Sequence, residues 1–266
     1  MNPKNFLKWI AVFVITFVMI FGVTPFLVIS ILVTLPQVLE SSGAPALENQ
    51  IAVLELSGVI TDSKDFLDAL YKQVEDDSVK GIVVRIDSPG GAVGPAQEIY
   101  SALYRLRDKK PIIASMGTVA ASGGLYVALG ASKILCQPGT LTGSIGVIVQ
   151  IPNFKKVVDL VGVDVYTIKS GELKDAGNSF RAMTEREREF LQSTVDVAYG
   201  QFVDAVTQSR SLDEAKVREF ADGRLILGSQ AIDYGIADGY GDVQDAARMV
   251  FEQLGTPLSL DENPNL

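Results

Sequence analysis

The sequence contains no histidine. A nucleophilic serine in this chain has no imidazole to take its proton, so a Ser-His-Asp triad is excluded. Zinc loses its commonest ligand for the same reason, and one cysteine provides neither an internal disulfide nor a thiolate cluster. That cysteine, Cys136, ends the apolar run Ile134-Leu135-Cys136 and reads as a buried core thiol. Positive charge is also short, with 23 Lys plus Arg against 32 Asp plus Glu. An acidic surface repels phosphate backbones, and no basic cluster with interleaved aromatics interrupts it, so nucleic acid is not an expected partner. The glycine-rich turns lack the spacing of a phosphate loop or a dinucleotide fingerprint, and no cofactor is expected.

Charge is missing altogether from Trp9 to Leu35, a run dominated by Ile, Val, Phe and Leu. It exceeds the roughly 20 residues that cross a bilayer, and one helix, tilted or kinked at Pro25, is the expected form. Lys4 and Lys8 precede the run, while Glu40, Glu48, Glu55 and Asp62 follow it before the first positive charge at Lys64. The positive-inside bias then keeps residues 1–8 in the cytoplasm and puts everything after the anchor outside the cell membrane. A cleaved signal peptide is the competing reading, with Ala44-Pro45-Ala46 as its small-residue site, but the run is too long for an ordinary apolar core of 7 to 15 residues. Residues 36–48 read as a linker and 49–266 as one extracytoplasmic domain, of a length that can bury a sizeable core.

Within that domain strands and helices alternate, which predicts an α/β fold with right-handed crossovers. Strands are expected at 51–56, 81–86, 111–116, 133–136, 144–149, 163–168 and near Leu225. Gly81 to Ile86 is apolar except for Arg85, as in a parallel sheet covered on both faces. Helices are expected on the spacing of Phe66, Leu67, Leu70 and Val74, of Ile99, Leu103 and Leu106, and of Phe154, Val157, Val158 and Val161. Another is expected around Val217, and a closing one from Val243 to Leu254. Thr184 with Glu187 is a capping-box signature opening a long helix whose inner face is Phe190, Leu191, Val195, Ala198, Phe202 and Val206. The tail from Asp261 is expected to be mobile.

Two stretches carry chemistry. Ala120-Ala121-Ser122-Gly123-Gly124 follows an apolar strand and opens a small-residue helix, which suits an exposed nucleophile beside backbone N–H groups. Asp87-Ser88-Pro89-Gly90-Gly91 follows the preceding strand. Ligands collect at the carboxyl ends of strands in open α/β sheets, so the two turns are expected to line one crevice and supply a two-donor oxyanion hole. The same glycines also suit tight turns with close packing alone. With imidazole excluded, a lysine kept neutral is the commonest substitute base, which requires desolvation because an exposed lysine titrates near ~10.4. Residue chemistry does not choose among the lysines. Lys155 and Lys156 lie on an amphipathic helix and Lys109 and Lys110 at a helix end, while Lys169 and Lys174 bracket a glycine-containing loop, a better place for a partly enclosed amine. Ser144, in Thr-Gly-Ser-Ile-Gly, can hold a lysine amine or cap a turn.

Four ordered motifs resemble the signal peptide peptidase A family in its short, single-domain form. They are Asp87–Gly91, Ser115–Gly124, Leu141–Val147 and Lys169–Asp175; Asp222-Gly223-Arg224 also fits, and the likeness runs from about residue 50 to 250. The resemblance implies a Clp and crotonase-like fold of repeated ββα units behind an N-terminal transmembrane helix. It implies a serine endopeptidase with Ser122 as nucleophile, Lys174 as general base, Ser144 bonded to the lysine amine, and Gly91 and Gly123 as oxyanion donors. Peptide substrates, signal peptide remnants above all, and a homo-octamer in which the lysine reaches the serine from a neighbouring subunit are implied with it. Leu125 and Ala92 depart from the family's usual residues, a difference that bears on the substrate pockets. Alternatives are a crotonase-type acyl-CoA enzyme, a membrane-tethered binding protein without activity, and the related stomatin-operon protease, whose motifs match less well.

Overall fold

A computed structural model describes residues 50–256 and isolated positions between Lys8 and Phe21. The expected anchor at 9–35, apart from those positions, and the linker and tail lie outside the described residues. Among the described residues no helix is long and apolar enough to cross a membrane.

The chain runs β1 (Gln50–Ile60), α1 (Lys64–Glu75), β2 (Val79–Gly91), α2 (Val93–Leu106), β3 (Ile112–Ala120), α3 (Gly123–Ala128), β4 (Lys133–Cys136) and β5 (Leu141–Gly143). It continues through α4 (Lys155–Val161), a 3₁₀ turn (Glu172–Asp175), α5 (Glu185–Arg210), α6 (Glu214–Arg218), β6 (Leu225–Leu227), α7 (Gly228–Asp233), β7 (Gly239–Tyr240) and α8 (Val243–Gln253). The main sheet is ordered β1-β2-β3-β4-β7 and is parallel throughout. β5 joins the far end of β3 in parallel at Val119 and pairs with β6 antiparallel.

Alternation along β2 explains the packing. Ile82, Val84 and Ile86 face a large core shared with Ile99 and Leu103 of α2, Leu125 of α3 and Phe202 and Val206 of α5. Val83 faces the other way, joining Ile51, Ile113 and Leu135 beneath Ala247, Val250 and Phe251 of α8. A strand covered on both faces has no use for polar residues, which is why its sequence is nearly unbroken in its hydrophobicity. Arg85 interrupts the pattern on the α8 side, where it donates to Ser115 Oγ at 3.2 Å. Cys136 is buried as expected, and burial pushes its thiol up to about 11.

Three expectations are corrected. β2 does not end at Ile86: it continues through Asp87–Gly91, where main-chain pairing with Val59 and Ile60, past a bulge in β1, holds a stretch whose composition reads as a turn. No strand forms at 144–149, because Ser144 takes φ 52° and turns the chain away from the β5–β6 pair. Nor does 163–168 find a partner strand among the described residues. Both segments are extended and apolar in sequence, but an extended segment becomes a strand only beside another.

Gly124 marks where the sheet and the following helix meet most closely. A Cβ there would stand 2.6 Å from the carbonyl oxygen of Ser88, a main-chain atom that cannot swing aside. Gly124→Ala is therefore expected to cost about 1–3 kcal/mol of stability, read as a lower melting temperature; an unchanged melting temperature would contradict this account of the β2–α3 junction.

Candidate active site

The site begins where β2 and β3 end side by side. Ser88 is fully buried; its hydroxyl accepts from the Gly90 N–H at 3.1 Å, and its carbonyl accepts from the Ala121 N–H at 3.1 Å. Asp87, next to it, accepts from the N–H groups of Thr118 and Val119 at 3.3 and 3.2 Å. β2 thus fixes the end of β3 by its side chains as well as its main chain. Gly90, at φ 101°, brings the two turns together: a Cβ on it would lie 2.6 Å from the Gly123 nitrogen. A Cβ on Gly123 would lie 3.2 Å from the Gly91 nitrogen, so the two amides singled out in the sequence are neighbours.

Ser122 stands at this junction with φ 51° and ψ −119°, outside the regions a side chain adopts freely. Such a conformation costs on the order of 1–3 kcal/mol and persists only where the surroundings over-determine it. They do so here, since the Ser122 N–H donates to Gly143 at 2.9 Å and its carbonyl accepts from the Tyr126 N–H at 2.9 Å. Gly123 follows as the first residue of α3, where a helix leaves its N–H groups unpaired by its own carbonyls. The bond to Gly143 also brings Ser144 to the site. Thr142 pins that strand from behind, its hydroxyl donating to the Ala120 carbonyl at 2.6 Å, and the Ser144 N–H donates to Arg224 at 2.8 Å. The Asp222-Gly223-Arg224 motif therefore has a place: the Arg224 guanidinium holds the Asp222 carboxyl down at about 2, while the Arg224 main chain anchors Ser144.

Ser122, Ser144 and Gly91 line one open cleft of about 590 Å³, walled by 145–148, by Val195 and Tyr199 of α5, and by 221–223. A narrow apolar crevice leads off it between Ser122, Gly123, Val93, Ala96, Val147, Tyr126 and Phe202. The rings of Tyr126 and Phe202 pack 4.7 Å apart there. A main-chain N–H pair beside a strained serine at the mouth of an apolar crevice suits attack on a carbonyl held by an extended chain.

Residues 104–256 match Peptidase family S49. A Synechocystis sp. protein bearing the name protease slr0021 is 44% identical over 74% of this chain and 72% of its own length. The chain belongs to Peptidase family S49. Protease 4 of Haemophilus influenzae is 31% identical over 84% of this chain, which spans 37% of that longer protein. The signal peptide peptidase SppA of Enterococcus faecium is 35% identical over 78% of this chain and 64% of its own length. Among solved structures, a membrane-bound stomatin-specific protease superposes with TM-score 0.50 over 76% of this chain at 19% identity, a likeness of fold. The resemblance read from the four motifs is borne out at the level of the family, and the chain is a serine peptidase similar to signal peptide peptidase A.

Lys174 lies away from these residues. It sits on the 3₁₀ turn Glu172–Asp175, is exposed, and is not among the residues lining the cleft. The expectation of a partly enclosed amine is thus not met within one chain. The structure does separate it from its rival. Lys169 Nζ is 2.5 Å from Asp175 and also donates to the Glu172 carbonyl at 2.8 Å, whereas Lys174 Nζ has no hydrogen bond or ion pair among the described residues. Of the two amines, only that of Lys174 is uncommitted among the described residues.

The residues around that turn were legible only in part. Thr184 and Glu187 form the capping box read from the sequence, but Glu187 is buried and also takes both ends of the Arg181 guanidinium. Arg181 grips Asp175 with its other edge, at 2.9 and 3.0 Å. The spacing Asp175, Arg181, Glu187 was the available signal, hidden because a capping glutamate needs no further partner.

Arg181 and then Lys169 hold the Asp175 carboxyl well below the usual carboxylate range, and Arg181 with the Thr184 N–H holds Glu187 down at about 2. Both folded values lie below the unfolded ones, so the stabilisation is complete above the ordinary carboxylate range and is lost as pH falls through it. Amide protection in 172–184, each rate taken relative to the intrinsic rate at the same pH, is expected to fall as pH drops from about 4 to 2, ahead of protection in α2; coincident changes in both segments would refute a separately titrating clamp.

Proposed function

We propose that this S49 peptidase is a membrane-anchored endopeptidase with a Ser-Lys dyad, Ser122 as nucleophile and Lys174 as base. The observation that carries the reading is Ser122 itself, held at φ 51° between two glycine turns at the mouth of the crevice. Neutral Lys174 takes the Ser122 proton as the hydroxyl attacks a peptide carbonyl; Gly91 and Gly123 N–H groups receive the oxyanion, and the lysine ammonium protonates the leaving amine. Water then hydrolyses the acyl-enzyme by the same proton path. Ser144 orients the amine by a hydrogen bond. Cleaved signal peptides and similar hydrophobic peptides are the substrates, a choice the apolar crevice favours. The anchor is 9–35, with residues 1–8 cytoplasmic and the peptidase domain from 49 outside the cell membrane.

A homo-octamer in which Lys174 serves the neighbour's Ser122 completes the reading. Two features support it. Lys174 is exposed and its amine is unbonded among the described residues, and the segment carrying it presents bulky apolar side chains that the described residues leave open: Ile148, Leu160, Tyr166 and Ile168 are each at least 85% exposed. Phe190 and Val197 of α5 are exposed too, and the expected inner face of that helix is buried only from Phe202 onward. A surface of this kind is characteristic of an interface.

The test uses the full chain in detergent. Lys174→Ala is expected to lower peptide hydrolysis roughly 10²- to 10⁴-fold, and Ser122→Ala to abolish it. Particles co-assembled from equal amounts of the two variants are expected to regain roughly a quarter of the activity, since on random mixing that share of junctions pairs an intact serine with a neighbour's intact lysine. Mixed particles as inactive as their parents would sink the shared dyad, and a fully active Lys174→Ala would sink the dyad itself.

A further inference from the structure

The turn that carries Lys174 has little to rest on. Residues 161–172 are all exposed, and the turn closes through one main-chain bond from the Lys174 N–H to Gly171 at 3.2 Å and another from Ala176 to Leu173. Its fixed point is Asp175. That carboxylate receives Lys169, Asn178 at 3.3 Å and two nitrogens of Arg181. Arg181 also donates to the Asp175 carbonyl at 3.3 Å.

The other edge of Arg181 meets Glu187 through two further bonds, one of them Nη1 to Oε2 at 2.8 Å. Glu187 is buried in the first turn of α5, where it also accepts from the Thr184 N–H at 2.8 Å. α5 reaches the core at Phe202, Val203 and Val206. One guanidinium, bidentate to a carboxylate on each side, thus connects the turn to a helix rooted in the core. Lys169 and Arg181 together balance Asp175 and Glu187, so the cluster closes without excess charge. A planar fork fixes orientation as well as distance, which a lysine in its place could not do.

We infer that Arg181 is a positioning residue of the peptidase: bridging Asp175 and Glu187, it holds the 3₁₀ turn so that Lys174 is presented at a fixed place. The inference rests on Lys174 being the base. A flexible four-carbon stem on a loose turn spreads its amine over many positions, and a displacement of about 1 Å at a reacting group can cost on the order of 100-fold in rate.

The test compares Arg181→Gln, Lys174→Ala and the double variant of the full chain in detergent, by steady-state peptide hydrolysis and by the rate at which a fluorophosphonate labels Ser122. Arg181→Gln is expected to lower kcat roughly 10- to 100-fold with KM within about twofold, at unchanged particle mass and assayed below its own melting temperature, which falls because Glu187 loses its partner. In the Lys174→Ala background it is expected to slow Ser122 labelling no further, because a residue acting through another has nothing left to position. Unchanged kcat in Arg181→Gln beside an inactive Lys174→Ala overturns the inference and leaves the base assignment standing. The same factor lost with and without Lys174 also overturns it. An active Lys174→Ala removes the base assignment instead, and is read from that variant alone. Should Arg181→Gln fail to assemble, Asp175→Asn carries the same expectations, and failure of both to assemble overturns the inference in favour of a role in holding the particle together.

Discussion

The site depends on two main chains approaching more closely than side chains permit. Ser88–Gly91 at the end of β2 and Ala121–Gly124 after β3 pack with their backbones in contact, and the glycines at 90, 123 and 124 are what make that possible, while Gly91 admits the main chain of Ile60 from β1. The geometry of Ser122 follows from this contact. Its positive φ is strained for any residue with a side chain, and the bond to Gly143 together with the first turn of α3 leaves it no alternative. The cost is met by a parallel sheet buried on both faces, which is rigid enough to hold a strained residue at its edge.

That arrangement was readable in the sequence because it rests on residue size. Small residues at fixed places after two apolar strands imply a close approach, whatever the chain goes on to do with it. The extension of β2 through Asp87–Gly91 was not readable, since the stretch is held by main-chain pairing with Val59 and Ile60 and its composition is that of a turn. The segments 144–149 and 163–168 mislead for a related reason. Their β-branched residues report an extended chain accurately, but a strand needs a neighbour, and none stands beside them within the described chain.

The base side of the site was less legible still. Lys169 and Lys174 look alike in sequence, being equally polar and both within three residues of Gly171, and only folding distinguishes them. It commits Lys169 to Asp175 and leaves the Lys174 amine free of bonds among the described residues. Glu187 was visible as a cap; its second partner, Arg181, lies six residues back through a loop whose path no periodicity describes. The proposed site therefore has two physical characters, a serine half fixed by sterics and sheet pairing and, on the dyad reading, a lysine half fixed by four charges on an exposed segment.

Ile148, Leu160, Tyr166 and Ile168 give that second half a consequence for the life of a newly made chain. On the proposed assembly, a single copy released into water leaves these side chains bare, and it either meets others of its kind or collects unrelated hydrophobic debris. Tethering newly made copies to a common plane would crowd them together and favour the first outcome. Local abundance would then act as a safeguard, keeping solitary copies harmless to surrounding polypeptides until enough have gathered.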